Sequence, residues 1–433
     1  MKEYAYRMEI FQPFEFAAME RRLSAMARRG LQLEEIGSLF WKYRRGEPCK
    51  TSYAVTYLPQ GSMFDPLNDP KAETLRDLCA EAGWKKVCDW GQLQVYRTDR
   101  ETPVPIETDE SVRLTAIRRS MRKLFLLPNA ALFFLAVFEL GQLFLSNAAE
   151  PLILLSSSVG LLLLLLMPVL LLMLFLHFFA YAFWLRRSLK SVAQGGRCVS
   201  SNLCRRADTV FLVLALLAAA GFVVFSFLSG QGGAASYFLL YFFCILGMAA
   251  ALNALRRHMR REGFSRGGNR TLFLLADVVL AVVFAVVMGM SAGDLIGGGN
   301  PEPKQFVRVQ SLASAPSESW YFYRTDSSSP LLSRQRVQQY EEGEGDGFLL
   351  YEVYTTPLSA LSDWCAEQLL AQKSDGGSCR EANAVDLPVD TLYCTDYPSG
   401  NRNWILAREG RVLSVTASWM LEEEDLLTLW QNA

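Results

Sequence analysis

The side chains that could carry acid–base or nucleophilic chemistry are few and scattered. The chain has two histidines, His177 and His258. Both border long apolar stretches, so neither flanking region is expected to hold a histidine general base. No G-x-x-x-x-G-K-S/T, G-x-S-x-G or H-E-x-x-H run occurs. Catalytic residues, cofactors and metals are therefore not expected, and the chain reads as a non-enzyme. Two carboxylates fall inside apolar stretches, Glu139 and Asp277. An ionisable group at such a position is costly and points to function by default. With His177 they form the candidate intramembrane polar site, and Asp277 is expected to meet His177 or an arginine. Their isolation favours packing or interface hydration over an ion path.

The nine cysteines show no CxxC spacing, which argues against a structural zinc site. Cys365, Cys379 and Cys394 lie in the last third. If that part is outside the cell, one disulfide is expected, Cys379–Cys394, with one thiol left over. The run Glu341-Glu342-Gly343-Glu344-Gly345-Asp346-Gly347 offers oxygen ligands for a hard cation. It lacks the D-x-D-x-D-G order of a calcium loop and is expected to be an exposed turn.

Five apolar stretches dominate the middle of the chain: Leu124–Leu145, Pro151–Leu176, Thr209–Leu228, Tyr237–Leu255 and Leu272–Met290. Each approaches the roughly 20 residues that span a bilayer core. The second continues through an aromatic run to Leu185 and is expected to bend near Pro168. Basic residues crowd alternate ends: Arg118, Arg119 and Arg122, then Arg186, Arg187, Arg205 and Arg206, then Arg256, Arg257, Arg260, Arg261, Arg266 and Arg270. Ser146–Glu150 and Ser229–Ser236 hold no Lys or Arg. The positive-inside rule then places the N-terminus in the cytoplasm and the C-terminus outside. Met1–Ile10 lacks an apolar core of the signal-peptide type, so a span is expected to start insertion. Net charge is −2 over residues 1–112, +12 over 113–290 and −11 over 291–433. The basic block suits anionic lipid and implies no nucleic acid.

Residues 1–112 alternate between strand and helix patterns. Tyr4–Ile10 has period two. Phe16, Met19, Leu23 and Met26 recur at helical spacing. Leu31–Tyr43 and Thr51–Leu58 read as a strand pair, Ala72–Glu81 as a helix, and Trp84–Val87 with Leu93–Arg97 as a hairpin. The order fits a ferredoxin-like α+β sandwich with an added strand. Arg21, Arg22, Arg28 and Arg29 on the first helix form a candidate contact surface. Phe40, Trp41, Tyr43, Trp84, Trp90 and Tyr96 are expected to be core and sheet-face residues.

The segments Met26-Ala27-Arg28-Arg29-Gly30-Leu31, Phe40-Trp41-Lys42-Tyr43, Gly83-Trp84-Lys85-Lys86-Val87, Trp90 and Tyr96-Arg97 resemble domain of unknown function 2812 over roughly residues 1–125. The resemblance implies a bacterial protein whose N-terminal module precedes transmembrane helices. It supplies no catalytic residues, and it implies a winged-helix repressor as a cytoplasmic associate. The usual Trp of the first Gly-Trp element is Leu31 here.

After a Gly/Pro linker at 291–304, residues 305–433 read as a second α+β domain. Its expected strands are Trp320–Arg324, Phe348–Thr355, Thr391–Thr395, Asn403–Arg408 and Val412–Ala417. Its expected helices are Leu358–Gln372 and Glu422–Gln431. The organisation is therefore a cytoplasmic α+β domain (1–112), a five-helix transmembrane region (113–290), a linker and an extracytoplasmic α+β domain. A folded domain at each end and no catalytic constellation point to a transmembrane regulatory or sensory protein. A transport or export component with accessory domains, and an envelope scaffold, are the alternatives. The expected partners are the lipid bilayer and a cytoplasmic regulator, with no direct nucleic-acid contact.

Overall fold

A computed structural model describes residues 3–37, 40–66, 70–292, 306–315, 319–342, 347–374, 377–382 and 387–433. The chain packs as two compact units: Met1–Phe138 with Met167–Leu217 and Leu240–Gly289, and Glu139–Leu166 with Ala218–Leu239 and Met290–Ala433.

The first unit begins with β1 (Tyr4–Met8), α1 (Phe16–Ala27), β2 (Leu31–Glu35), β3 (Phe40–Arg45), β4 (Ser52–Tyr57), α2 (Pro70–Glu81), β5 (Lys85–Trp90) and β6 (Leu93–Thr98). The class is α+β. Its strands form two antiparallel sheets, β1-β3-β2 and β4-β6-β5, in place of one ferredoxin-like sheet. Leu31–Tyr43, read as one strand, is two, because the chain turns back after Ile36. The two sheets are the same β-α-β-β unit built twice, each with its last strand in the middle. The repeat is traceable in Tyr4-Ala5 and Tyr53-Ala54, and in Tyr43-Arg44 and Tyr96-Arg97. It is also seen in Gly30 and Gly83, which leave their helices at φ 75° and 84°, a conformation glycine adopts without steric cost. Met19, Leu23 and Met26 of α1 pack with Leu33 and Tyr43 of the first sheet and with Tyr53, Val55 and Tyr57 of the second. α2 lies on the opposite face of the second sheet, where Cys79 packs with Ala54, Trp84 and Tyr96.

The chain then enters α3 (Glu110–Met121), capped by Asp109, which accepts from Ser111 N at 2.8 Å. A π turn at Arg122–Leu126 joins it to α4 (Leu127–Ser146). After α5 (Pro151–Ser156) come α6 (Ser158–Ala193), α7 (Leu203–Leu228), α8 (Gly232–Arg261) and α9 (Arg266–Ala292). Among the described residues five helices are long and apolar enough to cross a membrane, the pattern of a multi-pass membrane protein. The second apolar stretch breaks at Ser157, whose backbone is extended, while α6 continues through Pro168. Ser157 Oγ accepts the Gly160 N–H at 3.1 Å and so restarts the helix as its N-cap.

The second unit holds β7 (Trp320–Ser328), β8 (Ser333–Glu341), β9 (Phe348–Thr355), α10 (Ser359–Lys373), β10 (Ser378–Glu381), β11 (Thr391–Asp396), β12 (Arg402–Arg408), β13 (Arg411–Ala417) and α11 (Glu423–Asn432). The strands form one antiparallel sheet, β10-β11-β12-β13-β9-β8-β7. Leu426, Leu429 and Trp430 of α11 pack on one face with Tyr351, Leu413 and Val415. Cys365, Ala366 and Leu369 of α10 pack on the other with Tyr354, Ile405 and Val412, joined by Leu152 of α5. The linker at 291–304 and the acidic glycine run lie largely outside the described residues.

Candidate functional site

A buried polar cluster of the first unit lies where the N-terminal domain meets α6 and α7. After β1 the chain carries Glu9 and Gln12 into a tight turn at Pro13–Glu15, closed by Gln12 N donating to Glu15 Oε2 at 3.2 Å. Gln12 Nε2 reaches Asp208 Oδ2 on α7 at 3.1 Å, and His177 Nε2 on α6 lies 2.6 Å from Asp208 Oδ1. The His177 and Asp208 side chains are 4% and 8% exposed. Asp208 therefore accepts from a transmembrane helix and from the N-terminal domain at once. His177 Nδ1 is buried with no hydrogen-bond partner.

Glu9, buried, divides its oxygens between Arg22 of α1 at 2.8 Å and Arg205 of α7 at 3.1 Å. Arg205 also lies 4.6 Å from the Phe11 ring centre and donates its backbone N–H to Glu15 Oε1 at 3.3 Å. Burial pushes the Glu15 carboxyl above its ordinary range, and the neighbouring Asp208 adds to the rise. The π turn places Phe125 in the middle of this cluster, 5.9 Å from the Phe14 and His177 rings.

A second set of contacts joins the same domain to α8 and α9. Arg260 Nη2 donates to Asp89 Oδ1 at 2.5 Å, and Lys86 holds the other oxygen at 2.8 Å. Burial raises the Asp89 pKa, but Arg260 and Lys86 outweigh it and hold the carboxyl below its ordinary value. Arg266 pairs with Asp65 at 2.8 Å, Arg257 with Glu35 at 2.9 Å, and Arg256 lies 4.2 Å over the Trp90 ring. The arginines counted for topology thus also hold the domain.

In the second unit the seat of the C-terminal domain is built differently. Ser329 Oγ donates to the Leu155 carbonyl at 2.6 Å, Ser327 Oγ to Ser156 Oγ at 3.0 Å, and Ser158 Oγ to the Ser328 carbonyl. Gln372 Nε2 reaches the Ala149 carbonyl at 2.7 Å. A small polar cavity beside α5 is lined by Glu150, Arg336, Glu352 and Lys373. Glu352 of that lining is also paired with the buried Arg334 at 2.7 Å.

The expected site residues do not converge. His177 is buried but paired with Asp208, not with Asp277. Asp208 sits one residue outside the apolar stretch counted from sequence, so it escaped notice. Among the described residues neither Glu139 nor Asp277 makes a hydrogen bond or ion pair shown here, and Glu139 is exposed. The arginine quartet splits. Arg22 is tied to Glu9, Arg21 donates to Ser200 Oγ at 2.6 Å, and Arg28 and Arg29 are exposed. Cys379 and Cys394 are free thiols, which corrects the expected disulfide. In the β10–β11 register Cys379 pairs with Thr395 and Cys394 with Arg380. One step out of register on a pleated sheet puts the two side chains on opposite faces. Burial pushes the Cys365 thiol up to about 12 and that of Cys198 likewise, the latter helped by its contact with Glu110.

Residues 15–128 match the family model described as "Protein of unknown function (DUF2812)". No curated protein and no solved structure matches the chain.

Proposed function

We propose that this chain is a transmembrane coupling protein of regulatory or sensory type, without catalysis of its own. The observation that carries the reading is the Gln12–Asp208–His177 cluster, in which one carboxylate joins two membrane helices to the N-terminal domain. A rotation or slide of α6 against α7 would separate His177 from Asp208 and leave a buried charge without its partner. Such a cost gives the domain a discrete response to helix position rather than a graded one. The N-terminal domain is then the cytoplasmic output, since every arginine that clamps it belongs to the basic ends assigned to the inside. The C-terminal domain is the extracytoplasmic input, and a cytoplasmic regulatory protein is the recipient.

Hydrogen exchange on the full chain in lipid nanodiscs tests this. Leu152→Ala loosens the seat of the C-terminal domain. Coupling predicts faster exchange in α1 and in the π turn at 122–126 as well as locally. A change confined to residues 150–160 and the C-terminal domain would sink the reading. Solute flux through reconstituted vesicles that depended on Asp277 would put transport in its place.

A further inference from the structure

The repeat in the N-terminal domain leaves one surface without its counterpart. In the second repeat both sheet faces are covered. α2 packs on the Ala54 and Tyr96 face, and α1, the helix of the other repeat, packs on the Tyr53, Val55 and Tyr57 face. In the first repeat α1 packs on the Tyr43 face only. The remaining face is open: Tyr6 is 63%, Phe40 58% and Met8 41% exposed. Cross-strand pairing brings Met8 beside Phe40 and Tyr6 beside Lys42, so these residues form one patch. Its charged part is basic on balance: Lys42 and Arg44 share Glu34 at 2.6 and 3.1 Å, and Glu35, opposite Lys42 in the register, is already paired with Arg257 at 2.9 Å.

The helix whose place in the repeat matches this open face is α2. Its solvent side carries Glu73, Asp77 and Glu81 at i, i+4 and i+8, one stripe along the helix, beside Leu78 at 61% exposure. Glu73 and Asp77 are 53% and 68% exposed, with Arg76 between them. An acidic stripe next to an exposed leucine complements a basic strip next to exposed Tyr, Met and Phe. Within one chain the helix of the first repeat covers the second sheet. We infer that between two chains the helix of the second repeat covers the first sheet. The occupant of the Tyr6–Met8–Phe40 face is α2 of a second copy of this chain. The contact joins two different surfaces and is therefore heterologous: copies associate head to tail, and a dimer is the first step of that assembly. This goes beyond the coupling role and does not depend on it.

Photo-crosslinking tests the pairing in the full chain in membranes. With p-benzoylphenylalanine at position 40, illumination is expected to give a dimer whose adduct peptide contains Leu78. The double variant Lys42→Glu/Arg44→Glu is expected to weaken association at least about tenfold, with circular dichroism checking that the domain remains folded despite the loss of both pairs to Glu34. Adding Glu73→Lys/Asp77→Lys is expected to restore it. An adduct to lipid, to another protein or to the same chain would overturn the proposal. So would a charge reversal that leaves dimer yield unchanged.

Discussion

The two soluble domains are fastened to their helices by opposite chemistry. The N-terminal domain is held largely by charged groups: Asp208 with Gln12, Glu9 with Arg205, Asp89 with Arg260, and Asp65 with Arg266. The C-terminal domain is held by serine hydroxyls on backbone carbonyls and by Leu152 packed beneath α10. Ion pairs lose most when one partner is removed, and their exposed members respond to salt. Hydroxyl bonds and apolar packing respond to neither salt nor mild acid. The first joint is therefore adjustable by the solution around it, and the second is a fixed seat.

The comparison breaks most visibly at Asp208. Asp208→Ala leaves the buried His177 and the half-buried Gln12 without their acceptor. It is expected to cost about 3–5 kcal/mol, the range for a buried pair that loses one member. Thermal melts in detergent, read through tryptophans of the N-terminal domain, measure it. A loss below 1 kcal/mol would mean that the pair acts like a surface ion pair. Leu152→Ala is the counterpart in the other unit. Its expected cost is about 2–4 kcal/mol, as for other buried leucines, and the same at low and high salt. A salt-dependent loss would erase the contrast. Ser329→Ala removes the bond to Leu155 and is expected to cost about 1–2 kcal/mol, seen as protease sensitivity near residue 155.

The smallest effect tests the pH side. Glu15 has a folded-state pKa above its unfolded value. Its contribution is fully present below the unfolded pKa and is lost as pH rises through the folded one. Glu15→Gln is therefore expected to raise the melting temperature slightly at pH 7 and to make no difference in acid. Asp89 runs the other way, because its folded pKa is depressed. Its pairing stabilises above the usual carboxylate range and is lost as pH falls through the folded value.

The sequence made the helices legible because a bilayer demands a long uninterrupted run of apolar residues, and it made the basic ends legible because they collect on one side. It concealed the node because Asp208 falls just outside such a run and its partner Gln12 is 196 residues away. β8 was missed because Ser-Arg-Gln-Arg-Val-Gln-Gln-Tyr-Glu carries almost no apolar alternation. Its place is set by pairing with β7 and β9 over its whole length. β10 was missed because its four residues are all exposed. The repeat was hidden for a different reason. Its two copies share only a few side chains, and the same strand order returns in three dimensions while most of the letters change.

The π turn at Arg122–Leu126 has a consequence of its own. A helix with one residue too many in a turn contains a dislocation, like a ruck in a carpet. Such a defect moves along the rod by exchanging hydrogen bonds one at a time, with no need to melt the whole element. Each residue the defect passes turns by about 100° and advances about 1.5 Å, while the helix beyond it on either side keeps its place. Phe125, wedged among Phe14, His177 and Tyr181, is the pin that holds the ruck in place.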